Sequence, residues 1–338
     1  MHRCFQLALL GCGNVAPNPM VGAILVHEDK VIGEGFHRQF GEAHAEVNCI
    51  NSVASPQQHL IKESTLYVSL EPCNHYGKTP PCTDLIIKNK IKKVVIGCID
   101  SFEKVNGSGI ANLTSAGIEV IQGVMETEAL MVNKRFFTFH HKQRPYIILK
   151  WAQSNNKKIS QTGKRTYITN GYTNILVHKW RSEEGAIIVG TNTVLQDNPS
   201  LTTRHWKGNN PMRLIIDKNL KIPGDAVVFK DDQPLIILNN KKQEQKGNKL
   251  FYKTDKDENM VVAAINILCQ QNIISLIVEG GAVLLQSFID AGMWDEARII
   301  TNRLMHIDNG LAAPSPGKSE MFDTITMGSD EIQFFKKV

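Results

Sequence analysis

The stretch TLYVSLEPCNHYGKTPPC, residues 65–82, decides how the first third of the chain is read. Residues 65–70 are a β-rich run that ends at Glu71-Pro72-Cys73, and Cys82 follows after the polar segment NHYGKTPP. Each of these cysteines sits behind a proline. Upstream, His44-Ala45-Glu46 falls at the start of a predicted helix, AHAEVNCINSV (43–53). One imidazole and two thiolates suit a catalytic zinc, which keeps three protein ligands and leaves a fourth position to water. His44, Cys73 and Cys82 are therefore the expected metal ligands. The metal would lower the pKa of that water. Glu46, two residues beyond His44, can reach the water without ligating the metal and is the expected catalytic proton carrier.

The H-x-E and P-C elements are those of the zinc deaminases, which act on a ring carbon that bears an amino group. Two other readings stay open. His75 could complete a closed, four-ligand structural zinc, or the residues could be scattered parts of a core.

Around this stretch helices alternate with strands. An N-terminal helix carries Phe5, Leu7, Ala8 and Leu9, and VGAILVHEDKVIGEGF (21–36) reads as two strands about an Asp-Lys turn. A helix near TDLIIKNK, the strand KKVVIGCID, and a helix and strand over 109–123 complete a three-layer α/β domain, 1–123. Residues 124–144 read as a connecting helix. From Pro145 the pattern restarts: strand YIILKWA, helix 171–184, strands GAIIVG, RLIID and LIILN, helix 259–271, strand ISLIVEGG, helix AVLLQSFIDAG and strand ARIIT. This predicts a second α/β domain, 145–338. No repeat or low-complexity tract interrupts it.

Composition limits the function classes. With 338 residues and 42% hydrophobic content, the chain has material for two domains. Its 21% charged residues are ordinary for a globular protein. A net charge of +5 suits an anionic small molecule without calling for nucleic acid. Lys241, Lys242, Lys246 and Lys249 are mixed with Gln, Glu and Gly and read as a solvated loop. The seven cysteines are odd in number and scattered, unlike a secreted disulfide framework. Cys4, Cys12, Cys49, Cys98 and Cys269 read as core thiols. No apolar run is long enough to span a bilayer. The N-terminal MHRCFQLALLGCGN reads better as a packed helix than as a signal peptide, which points to the cytoplasm.

The segment LEPCNHYGKTPPC departs from most nucleobase deaminases, which have a far shorter gap between the cysteines. It resembles the deaminase domain of the bifunctional deaminase–reductases of riboflavin biosynthesis. PNPMVG (17–22), GEGFH (33–37) and GEAHAE (41–46) are similar to that family too. DSFEKVNGSG (100–109) matches its loop in part. The resemblance implies a cytidine-deaminase-like fold acting on a pyrimidine with a ribose 5-phosphate. It implies that Asn18, His37, Glu71, His75, Lys78 and Thr79 shape the pocket.

The second half lacks a G-x-G-x-x-G fingerprint. Its strand ISLIVEGG runs through a Gly-Gly turn into a helix, which suits a pyrophosphate at the helix N-terminus or else tight packing. PYIILKWAQS (145–154), HKWRSEEGAIIVGTNTVLQDNPSLTTR (178–204), IVEGGAVLLQSF (277–288) and WDEA (294–297) resemble the family's reductase domain. That implies a dihydrofolate-reductase-like fold, NADPH as cofactor and a homo-oligomer without nucleic-acid or membrane partners. Ala152, Tyr167, Thr193, Asp197 and Gly281, Ala282, Val283, Leu284, Leu285, Gln286 and Ser287 would contact the cofactor. Lys150, Arg165, Arg181, Leu201, Arg204 and Glu279 would contact the substrate, the arginines as forked phosphate ligands. The implied activities are two. The first is deamination of 2,5-diamino-6-(5-phosphoribosylamino)pyrimidin-4-one. The second is NADPH-dependent reduction of the ribosyl group to the ribitylamino phosphate. One departure stands out: Asn156 and Lys157 replace the family's usual Asp-Gly. Asn tolerates left-handed turn geometry, so the turn is expected to survive while an acidic contact is lost. A deaminase with a purely structural second domain is the alternative.

Overall fold

The computed structural model describes residues 1–76, 80–100, 107–161 and 165–338. They divide into two units, Met1–Gln143 and Arg144–Val338. Lys78, Thr79 and positions 101–106 of the expected pocket loops lie outside the described residues.

In the first unit, α1 (His2–Leu9) precedes a hairpin of β1 (Gly22–His27) and β2 (Lys30–Phe36). Its turn falls on Glu28 and Asp29, one residue earlier than expected, and both have positive φ as a tight two-residue hairpin requires. Next come α2 (Ala45–Asn51), β3 (Thr65–Leu70), α3 (Cys82–Lys88), β4 (Lys93–Cys98), α4 (Ser108–Ser115) and β5 (Glu119–Ile121). The sheet order is β2-β1-β3-β4-β5. The β3, β4 and β5 strands run parallel, so α3 and α4 serve as their crossovers. Leu25, Leu66, Val94 and Ile96 of the sheet pack against Cys49, Ile86 and Leu113 of the helices. Helix α2 lies directly on β2: a Cβ on Gly35 would stand 2.2 Å from the Cys49 nitrogen. That close approach fixes the helix whose N-terminus carries His44.

The expected connecting helix over 124–144 is a different object. It is two helices, α5 (Glu126–Val132) and α6 (Lys134–Lys142), and both belong to the first unit. Ala129, Phe136 and Phe137 are buried in one cluster with Phe5, Leu70 and Cys98. Apolar side chains of that size cannot stay in water when a sheet face is open to them.

The second unit holds β6 (Tyr146–Ser154), β7 (Lys158–Gln161), α7 (Gly171–Glu183), β8 (Ala186–Gly190) and α8 (Thr191–Asp197). It continues with β9 (Met212–Ile216), β10 (Leu235–Asn239), β11 (Glu244–Lys246), β12 (Lys249–Lys253), α9 (Met260–Gln270), β13 (Ser275–Val278) and α10 (Ala282–Asp290). The last strands are β14 (Glu296–Asn302), β15 (Gly310–Ala312), β16 (Ser319–Met327) and β17 (Asp330–Lys337). Among the described residues the main sheet has ten strands, ordered β11-β12-β10-β9-β8-β13-β6-β14-β17-β16. Its centre, from β10 to β14, is parallel. Both faces are therefore covered. Ile147, Leu149 and Trp151 of β6 pack on the side of Leu268 and Phe288, while Tyr146 and Ile148 pack with Val177 and Trp180. The lysine-rich stretch expected as a loop is the β11–β12 hairpin, and its charges suit an edge strand. Cys4, Cys49 and Cys98 are core residues, whereas Cys12 and Cys269 are only half-buried. Among the described residues no helix is long and apolar enough to cross a membrane.

Candidate active sites

In the first unit three elements meet at one point. His44 is the N-cap residue of α2, Cys73 follows the carboxyl end of β3, and Cys82 opens α3. The two sulfurs lie 3.5 and 3.4 Å from His44 Nδ1, and the three donor atoms fall within 4.8 Å of one another. Zinc bonds of about 2.0–2.3 Å in tetrahedral geometry put ligand atoms about 3.5 Å apart. The donor chemistry fits as well. A hydrogen bond from Cys82 holds the Cys73 thiol down at about 4, and the same contact together with burial pushes Cys82 well up. Neighbouring thiols cannot both ionise unaided, and a divalent cation removes that conflict. Among the described residues, exposed His75 is not part of the cluster, so the trio leaves an open coordination position.

Glu46 is 3% exposed and is not one of the clustered donors. Burial pushes its carboxyl up to about 7. His37, 3% exposed, faces Ala43 O through Nδ1 at 3.1 Å and Asn18 Nδ2 through Nε2 at 3.2 Å. A carbonyl accepts and an amide nitrogen donates, so the network assigns the proton to Nδ1. Burial lowers the His37 pKa, consistent with that neutral ring. Its ring stands edge-on to His44 at 5.3 Å, which brings Asn18 and His37 to the metal ligands.

Glu71 is a correction. Its two carboxylate oxygens accept the backbone N–H groups of Asp100, Gly107, Gly109 and Ile110 at 2.9–3.2 Å. Glu71 ties the end of β3 to the start of α4, and its oxygens are occupied before any pyrimidine arrives. Asn133 belongs to no motif that would single it out in the sequence. Its side chain accepts from Met20 N at 2.8 Å and donates to Met20 O at 2.9 Å. It thus holds the 17–22 loop that carries Asn18.

In the second unit the carboxyl ends of adjacent strands β6, β8 and β13 gather the polar groups, the usual place for a site in an open parallel sheet. Glu279, just past β13, receives a forked pair of bonds from Arg181 at 2.7 and 2.8 Å and one from Lys150 at 3.4 Å. Burial alone would raise its carboxyl, but the Arg181 and Lys150 charges outweigh that and hold it at about 2. Lys150 itself is lowered, chiefly by burial. Arg204 is lowered by burial and by the nearby charges of Arg181 and Arg165. Three guanidinium groups with one matched carboxylate leave an excess of positive charge. Arg165 also lies over the exposed Tyr167 ring at 4.8 Å, and its charge acts on half-buried Asp197.

Gly281 is the N-cap residue of helix α10, and its N–H donates to Thr193 Oγ1 at 3.0 Å. Gly280 is required for packing, since a Cβ there would meet Leu284 at 2.7 Å. The packing reading of the Gly-Gly turn thus has a physical basis. Ala282, Val283, Gln286 and Ser287 line an open groove of about 380 Å³ with Ala312 and Pro314. Ala152 is half-buried on β6. The side chains of Leu284 and Leu285 belong to the apolar core, so a ligand could meet these residues only through their backbone. The Leu201 side chain is likewise 2% exposed and packs with the β8 and β9 residues, so any substrate contact there would be through its backbone.

At the Asp-Gly departure the left-handed residue is Lys157, with φ 58, and not Asn156. Asn156 Oδ1 accepts from Ser154 Oγ at 2.6 Å and Ile307 N at 3.2 Å, while Nδ2 donates to Ile307 O at 2.9 Å. The turn survives through bonds that an amide makes.

Comparison with known proteins follows this division. Residues 1–98 match the cytidine and deoxycytidylate deaminase zinc-binding region, and residues 145–304 match the RibD C-terminal domain. The riboflavin biosynthesis protein RibD of Aquifex aeolicus is 36% identical, with 100% of this chain and 97% of the relative covered. That of Escherichia coli is 31% identical, covering 98% and 95%. A crystal structure from Thermotoga maritima matches with TM-score 0.91 and 35% identity over 100% of this chain and 97% of its own. It is described as a diaminohydroxyphosphoribosylaminopyrimidine deaminase/5-amino-6-(5-phosphoribosylamino)uracil reductase. RibD of Acinetobacter baumannii matches at 0.90 and 27%, again covering 100% and 97%. With a metal trio and buried acid in one unit, a charge cluster at the strand ends of the other, and full-length similarity across both, the chain belongs to the RibD family of riboflavin-biosynthesis proteins.

Proposed function

We propose that the first unit deaminates 2,5-diamino-6-(5-phosphoribosylamino)pyrimidin-4-one and that the second reduces the ribosyl group of the product to the ribitylamino phosphate. His44, Cys73 and Cys82 hold zinc, which when bound makes water a nucleophile near neutral pH. Glu46 takes a proton from the attacking water and returns protons at the ring nitrogen and the departing amine. A carboxyl raised to about 7 by burial is poised to do both. Asn18 and His37 flank the pyrimidine on one side. The cluster of His44, Cys73 and Cys82 beside a buried, non-ligating Glu46 is the observation that carries this half.

In the second unit NADPH supplies the hydride. The N-terminus of α10 and Thr193 lie where its phosphates can be received, and Tyr167 offers an aromatic surface. Arg165, Arg181 and Arg204 bind the substrate phosphate, and Glu279 holds Arg181 in place. Hydride arrives at C1′ and the ribose ring opens. Lys150, half-buried and held by Glu279, then has a proton for the ring oxygen.

The test removes zinc with a chelator and restores it while ammonia release is followed. NADPH and NADH are compared with the deaminated intermediate. Ammonia release that neither falls on chelation nor returns with zinc defeats the first half. A second reading keeps the deaminase alone and is motivated by Asn156 and Lys157. Steady NADPH oxidation with the deaminated intermediate rules it out.

A further inference from the structure

Arg213 lies on β9 with no solvent exposure, in a strand otherwise made of apolar residues. A buried guanidinium is expensive, and an apolar residue would serve packing at lower cost. Its Nε has no partner among the described residues, which adds to that cost. What the residue reaches suggests why it is there. Nη2 donates to Asp231 Oδ1 at 2.6 Å and Gln233 O at 2.7 Å. Nη1 donates to Asp231 Oδ2 and to the carbonyl of Ser200, both at 3.2 Å.

Ser200 opens a strained turn. Leu201 has φ 58, a left-handed conformation that a bulky residue adopts only when its surroundings impose it. The carbonyl of the following residue, Thr202 O, accepts from Arg181 Nη1 at 3.2 Å. Two guanidinium groups therefore hold the backbone carbonyls of Ser200 and Thr202, the residues on either side of Leu201. The Ser200 hydroxyl in turn accepts from Arg204. One connected path runs from Asp231 through Arg213 and Ser200 to Arg204. Arg181 and Arg165 repel Arg204, so without that path it would swing toward water.

We infer that Arg213 is a positioning residue for the reductase: by pinning the Ser200 carbonyl it keeps Arg204 ready for the substrate phosphate. This rests on the reading of Arg204 as a phosphate contact. The experiment measures kcat and KM with NADPH for 5-amino-6-(5-phosphoribosylamino)uracil and for its dephosphorylated ribosylamino counterpart. Arg213→Lys keeps the charge but cannot fork between Asp231 and Ser200. It is expected to cut the preference for the phosphorylated compound by about tenfold or more through KM, with kcat within about threefold of the parent. An unchanged preference overturns the inference, even if stability or overall rate falls. If Arg213→Lys does not fold, Asp231→Asn decides: it keeps the arginine, loosens its orientation, and should lower the preference by about threefold. An unchanged ratio there also overturns the inference. Arg204→Gln separates the two levels. Lost preference in Arg204→Gln with none lost in Arg213→Lys defeats only the positioning role. Unchanged preference in Arg204→Gln defeats the phosphate reading, and the inference falls with it.

Discussion

Glu46 and Glu71 are both buried acids near the cysteine loop, and the first unit uses them in opposite ways. Glu71 spends both oxygens on four backbone amides, so it acts as a structural anchor. Glu46 has burial without such a saturating set, and its carboxyl rises to about 7. The replacement Glu46→Gln should lower ammonia release by about a hundredfold or more while zinc content, read by metal analysis, stays at one ion per chain. Retained turnover would remove Glu46 from the chemistry. Motif spacing located His44, Glu46, Cys73 and Cys82, because metal ligation constrains residue types directly. It could not separate Glu71 from a substrate contact, because backbone amides carry no sequence signature. His178 adds a pH effect in the second unit. Burial and the Arg181, Arg204 and His205 charges outweigh Glu279 and lower its pKa from 6.5 to about 4. The unfolded chain then takes up a proton first, so His178 costs nothing above pH 6.5 and stability falls as pH drops from there toward 4. Urea midpoints near pH 7 and about pH 5 should differ more for the parent than for His178→Gln; equal differences would contradict this.

At the scale of elements, long amphipathic and apolar segments were legible, and segments defined by a distant partner were not. Helix α7 begins where expected because the Asn170 side chain caps Thr173 N at 3.0 Å. The strands at the end of the chain carry no such signal. Strand β16 lies at a sheet edge and is exposed along nearly its whole length, so it lacks the apolar alternation that marks a half-buried strand. The α5–α6 pair resembles a connector in sequence because its partners, Phe5 and Leu70, lie far away along the chain. Asn133, at the junction of those helices, is similar: its partner Met20 is 113 residues distant. Asn133→Ala would leave the buried N–H and C=O of Met20 unpaired and should destabilise the first unit by about 2–3 kcal/mol in denaturant unfolding. It should also raise the deaminase KM, because the loop carrying Asn18 is released. An unchanged KM would show that the loop does not depend on this clamp.

Over the whole molecule, sequence gave the order of two α/β units and the chemistry of each. The expected start of the second unit, 145, lies one residue from the observed one, but the first unit runs on to Gln143 and takes in the expected linker, since periodicity identifies a helix and not the core that the helix joins. A fragment of residues 1–143 should fold and release ammonia, whereas 1–123 lacks Ala129, Asn133, Phe136 and Phe137 and should not give a cooperative unfolding transition. A cooperative, active 1–123 fragment would restore the shorter domain. If one chain performs deamination and then reduction, both steps must be visible when the zinc-loaded chain is given 2,5-diamino-6-(5-phosphoribosylamino)pyrimidin-4-one and NADPH together and ammonia and NADPH absorbance are recorded in the same sample. Equal amounts of ammonia formed and NADPH consumed are expected, with NADPH loss lagging behind ammonia. No ammonia release, or NADPH consumption that precedes it, would show that the chain does not carry out this sequence.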